Sequence, residues 1–100
     1  MEKYYKTGKV KVSDYKVTDY LKNDKETSEY LDYLADTDPS LFLSVLNALA
    51  REKGMSKVAD ETGLARESLY KSLSENGNPS FFNIYKVLHS LGFGLSVKRI

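Results

Sequence analysis

From Pro39 onward the apolar positions recur with helical spacing. Leu41, Phe42, Val45, Leu46, Leu49 and Ala50 fall at i, i+1, i+4, i+5, i+8 and i+9, one broad face of a helix. Asp38 and Pro39 read as its N-cap and first residue, and Gly54 as its end. A second helical period covers Phe81, Ile84, Val87, Leu88 and Leu91, with Asn78 or Ser80 as cap and Gly92 as stop. Between them lies Met55–Leu73, which the pattern divides into two short helices meeting at Gly63. In the first, Val58 and Ala59 face inward while Lys57, Asp60 and Glu61 face water. Ala59 stands four residues before Gly63, where a small side chain lets a second helix approach closely. That second helix puts Ala65, Ser68, Leu69, Ser72 and Leu73 inside and Arg66, Glu67, Tyr70, Lys71 and Ser74 outside. Val58 and Leu69 are therefore expected at the core of the pair.

Ahead of Asp38 the pattern is also helical. Ser13 or Asp14 can cap a turn holding Val17, Tyr20 and Leu21. Asn23 or Asp24 then starts a helix in which Tyr30, Leu31, Tyr33 and Leu34 mark the apolar side, ending near Asp36. Met1–Val12 has no helical period and is expected to be a flexible tail. At the other end, Phe93, Leu95 and Val97 alternate with Gly94, Ser96 and Lys98, which predicts a short strand. With no other confident strand to pair with, its own copy in a homodimer is one partner, and the monomer core is the other. The expected architecture is all-α, five helices with a short C-terminal β-strand. Its divisions are 1–13, 14–37 and 38–100.

Charge sharpens this division. Residues 1–11 carry four lysines against Glu2, residues 12–38 eight acids against three lysines, and residues 39–100 eight cations against five acids. The outer face of the second short helix, with Arg66, Glu67, Tyr70 and Lys71, offers groups able to meet phosphates and base edges in a major groove. A solvated outer face in a plain helical bundle would show similar charges. The Ala59-to-Gly63 spacing favours the groove-binding arrangement. The acidic, tyrosine-rich front suits a protein interface instead, with Tyr15, Tyr20 and Leu21 as apolar anchors.

Other chemistry is thinly represented. The chain has no cysteine and one histidine, His89, so neither a disulfide frame nor a metal cluster is expected. It has no glycine-rich phosphate loop, and no nucleophile can be matched to a histidine base. No enzyme activity and no cofactor are expected. The start of the chain lacks a secretory h-region and Leu41–Ala50 is too short to span a bilayer, so a cytoplasmic setting is expected.

Four stretches carry a family resemblance: D-Y-x-x-x-x-Y-L at Asp14–Leu21, D-P-S-L-F-L at Asp38–Leu43, G-M-S-K-V-A-x-E-T-G-L-A-R-E-S-L-Y-K-S-L-S-E-N-G-N-P-S-F at Gly54–Phe81, and V-L-x-x-L-G at Val87–Gly92. The chain resembles the XRE/Cro-like (lambda-repressor-like) helix-turn-helix superfamily. More narrowly, it resembles the addiction-module antidotes (HigA-like antitoxins) encoded beside RelE/ParE-like (HigB-type) toxins. The resemblance spans about residues 14–97. It implies a dimeric antitoxin that binds its toxin directly and represses its own promoter by binding double-stranded DNA. The acidic front, by its charge, is the expected toxin-facing side. By position it assigns DNA contacts to Ser56, Lys57, Arg66, Glu67, Tyr70 and Lys71. Lys57 stands where phage-repressor relatives have glutamine, which points it to phosphate, and Ser72 replaces a larger apolar residue. The rival readings are a stand-alone regulator with no toxin, and an interaction module that does not bind DNA.

Overall fold

The computed structural model describes residues 23–74 and 76–100. Tyr15, Tyr20 and Leu21, and the tail before them, lie outside the described residues. Among the described residues five helices follow in order: α1 Asp24–Thr37, α2 Pro39–Lys53, α3 Met55–Thr62, α4 Arg66–Ser72 and α5 Phe81–Ser90. α1 packs on α2, α3 packs on α2 and carries α4, and α5 closes the core against α3 and α2.

Local chemistry sets each boundary. The Asn23 side chain caps α1 by accepting from the Glu26 amide at 2.8 Å. Asp38 caps α2 by accepting from the Leu41 amide at 3.2 Å, with Pro39 in the first helical turn, where no amide hydrogen is needed. Ser80, the second of the two candidate caps, accepts from the Asn83 amide at 3.2 Å and starts α5.

Buried residues from all five helices fill one core. Leu34, Leu46, Leu69, Leu73, Val45, Val58 and Val87 are almost wholly enclosed, with Tyr30, Leu31, Ala50, Met55 and Leu88 beside them. Val58 and Leu69 both fall in it, as the helical phase predicts. Since α1 buries Tyr30, Leu31 and Leu34, the acidic segment is structural as well as charged.

The pattern is overturned at three places. Phe93–Lys98 forms no strand, and no strand occurs among the described residues. A strand needs a neighbour for its backbone groups, and the described chain offers none. Instead Phe93 packs half-buried on the core while Leu95 and Val97 are exposed, so the three do not share a buried face in the single chain. Lys98 ties this segment to α1 through Asp36 at 2.7 Å and Asp32 at 3.8 Å. Those carboxylates, Asp36 first, raise the Lys98 pKa above its ordinary value. Second, Ala65 and Ser68, assigned inward, are exposed. Third, Phe81, which shares the apolar period of α5, is 67% exposed.

Candidate functional site

The site is built on the turn between α3 and α4. Gly63 takes the left-handed conformation, φ 74°, and its amide donates to the Ala59 carbonyl at 2.9 Å, ending α3 sharply. A side chain at this φ would be strained even though a Cβ would meet no atom within 4 Å. Thr62 secures the turn from within. Its buried hydroxyl donates to the Val58 carbonyl at 2.7 Å and accepts from the Leu64 amide at 3.3 Å. Residues Gly63, Leu64 and Ala65 then connect α3 to α4. At the far end, Gly77 lies so close to α4 that a Cβ there would stand 2.1 Å from the Ser72 carbonyl oxygen. Only glycine fits that approach without moving backbone.

This frame brings side chains from three helices together on the surface. Arg66 opens α4, and its guanidinium donates to the Ser56 hydroxyl of α3 at 3.3 Å. The other Nη reaches the Tyr70 hydroxyl, one turn along α4, at a long 3.5 Å. The Tyr70 ring is half-buried against the core, so its plane is held. Arg66 lies 5.8 Å and Arg51 5.1 Å from the ring centroid, both within cation–π range. The Arg66 hydrogen bond, then the charges of Arg66 and Arg51, hold the Tyr70 hydroxyl below the ordinary tyrosine pKa. The result is a pair of guanidiniums positioned by one aromatic ring, with open donors toward solvent. Such a pair can take phosphate oxygens or a guanine edge bidentately.

Of the six residues assigned to this face from sequence, the fold brings Ser56, Arg66 and Tyr70 into contact. Lys57, Glu67 and Lys71 are exposed on the same two helices. Arg51 was not among them. It sits in the last turn of α2, and only the tertiary fold carries it to Tyr70.

A second polar cluster fixes the frame. The Lys53 ammonium at the end of α2 donates to the Glu61 carboxylate of α3 at 2.6 Å and to the Ser90 carbonyl of α5. The Ser90 hydroxyl donates to the same Glu61 oxygen at 2.7 Å. The Lys53 hydrogen bond, followed by that of Ser90, lowers the Glu61 pKa from its ordinary 4.5. Glutamate with a depressed folded pKa adds stability above its unfolded value and loses it as pH falls through the folded one. The melting temperature of the parent is therefore expected to fall more steeply from about pH 5 to about pH 3 than that of Glu61→Gln. Parallel curves, recorded by circular dichroism, would mean the cluster adds nothing to the fold.

α1 presents a different surface. A cavity of about 380 Å³ lies between α1 and the C-terminal segment, over Leu31, Phe42, Leu88 and Phe93, with Glu29 and Asp32 at its rim. No helix among the described residues is long and apolar enough to cross a membrane, and none of their acidic or histidine side chains cluster as a metal site would.

Residues 11–99 match the family described as probable addiction module antidote protein. An uncharacterized protein of Haemophilus influenzae is 36% identical over 89 residues, covering 88% of this chain and 92% of that protein. No solved structure matches. With the match covering nearly the whole chain, including every element that builds the two-arginine cluster, the chain belongs to the probable addiction module antidote family.

Proposed function

We propose that this protein is the antitoxin of a toxin–antitoxin module, which neutralises a RelE/ParE-like toxin by direct binding and represses its own operon as a DNA-binding homodimer. Membership of an antidote family implies a toxin partner. The DNA-binding half rests chiefly on one observation: Arg51, Ser56, Arg66 and Tyr70 converge on the exposed side of two short helices joined at Gly63. In this reading α3 and α4 are a helix-turn-helix of the XRE/Cro type, with α4 in the major groove. Arg66 reads a base edge or clamps a phosphate, Glu67 accepts from cytosine N4 or orients Arg66, and Tyr70 meets a phosphate or a thymine methyl. Ser56, Lys57, Lys71 and Arg51 hold the backbone.

The toxin would meet the acidic side. α1 holds five acids against one lysine, and a basic, nucleic-acid-directed toxin is its electrostatic complement. Tyr15, Tyr20 and Leu21 are the proposed apolar anchors.

The test uses the full chain. Co-expressed with the product of the adjoining toxin-like gene, it should retain that protein on an affinity column and restore growth. Alone, it should retard its own upstream DNA at fixed ionic strength. Retardation without toxin capture would leave a stand-alone regulator, and capture without retardation a non-DNA-binding module.

A further inference from the structure

α5 carries an aromatic face that no element of the described chain covers. Phe81, Phe82 and Tyr85 are 67%, 70% and 41% exposed. Their rings run in one connected series. Phe81 is 6.0 Å from Phe82 and stacks 6.3 Å from Tyr85, and the tilted ring of His89 lies 4.2 Å from Tyr85. The rings thus contact one another along two turns of the helix, with two phenylalanines left mostly in water. A contiguous exposed apolar patch of this kind often marks a functional surface.

Charge decides what covers it. The acidic side of α1 suits a basic partner, and the guanidinium pair at Tyr70 suits an anion. Each would repel its own copy. Residues 76–85 contain no charged side chain, and the exposed Lys86, one turn beyond Phe82, borders the rings on α5. A two-fold interface sets a patch against itself, and an aromatic patch with a single bordering cation meets little like-charge penalty there. Offset and edge-on ring packing then adds to the burial.

We infer that the Phe81–Phe82–Tyr85 face of α5 is the surface through which two copies of this chain associate. This locates the homodimer contact of the reading above in α5, and in place of the Phe93, Leu95 and Val97 segment. Rings of this type bury about 150–250 Å² each, so at these exposures the three offer roughly 270–450 Å². A standard interface takes about 800 Å² per partner, so flanking polar residues must complete the footprint. A modest, reversible dimer is the consequence.

Sedimentation velocity on the full chain, with neither DNA nor toxin present, tests this apart from the promoter and toxin assays. The parent should sediment as a dimer at tens of micromolar and dissociate on dilution. Phe82→Glu should be monomeric throughout with unchanged far-ultraviolet circular dichroism, since the side chain it replaces is largely exposed. The milder Phe81→Ser should raise the dissociation constant about tenfold. A variant carrying Leu95→Glu and Val97→Glu should remain dimeric. A monomeric parent, a dimeric Phe82→Glu, or loss of the dimer in the Leu95/Val97 variant would each overturn the assignment.

Discussion

Replacing Leu69 by alanine is expected to lower the unfolding free energy by about 2–5 kcal/mol. Leu69 is 1% exposed and lies in the one core that all five helices share. Truncation removes three carbons and leaves a cavity. Partial collapse is restricted, because Val58 and Leu73 are themselves fully enclosed. A domain of this size holds about 5–15 kcal/mol in total, so the loss is a large share of it. Urea unfolding followed by circular dichroism gives the value. A midpoint within error of the parent's would mean that α4 does not anchor through this residue.

Arg66→Ala is expected to weaken operator binding by about 1–3 kcal/mol, and to relax the sequence preference at the base pair it reads. The side chain is exposed and makes its contacts at the surface, with Ser56 and Tyr70, so the fold should survive. Removing it also frees the Tyr70 hydroxyl, which should return toward the ordinary tyrosine pKa because its principal hydrogen bond is gone. Lys71→Ala serves as the contrast. It should weaken cognate and scrambled duplexes alike and flatten the salt dependence by about one unit. Gel shifts on both duplexes over a salt series measure these effects together. If neither variant changes affinity or slope, α4 is not in the groove.

Helix boundaries were the most legible part of the sequence. Asp38–Pro39, Gly54, Gly63 and Gly92 each act through local backbone chemistry, and each glycine takes the positive φ its position requires. Long amphipathic segments were equally clear, since α2 keeps its apolar spacing from Leu41 to Ala50, nearly three turns. The short α4 was not. Its seven residues touch α3 on one side, so an inner face drawn through Ala65 and Ser68 is too wide. Phe81 has helical spacing with Ile84 and Leu88, but it lies in the first turn, beyond the reach of the core. Alternation at Phe93–Val97 describes what a strand would look like, and whether one forms depends on a neighbour. The candidate site was half-legible for a similar reason. Arg66 and Tyr70 are one helical turn apart and readable together, whereas Arg51 meets Tyr70 only because α3, packed on α2, carries α4. The Lys53–Glu61–Ser90 cluster also joins residues far apart in the chain, and single-sequence spacing carries no signal for it.

The lengths of α3 and α4, eight and seven residues, carry a consequence for regulation. Isolated helices below about 12–15 residues scarcely persist in water. The arginine-bearing surface therefore depends on the core that α3 and α4 pack on. Any factor that depletes the folded population, whether heat, mutation or proteolytic capture of the open state, reduces the binding-competent concentration in the same proportion, and apparent affinity falls by that fraction. In the proposed function, occupancy of the operator therefore tracks the folded population of this chain.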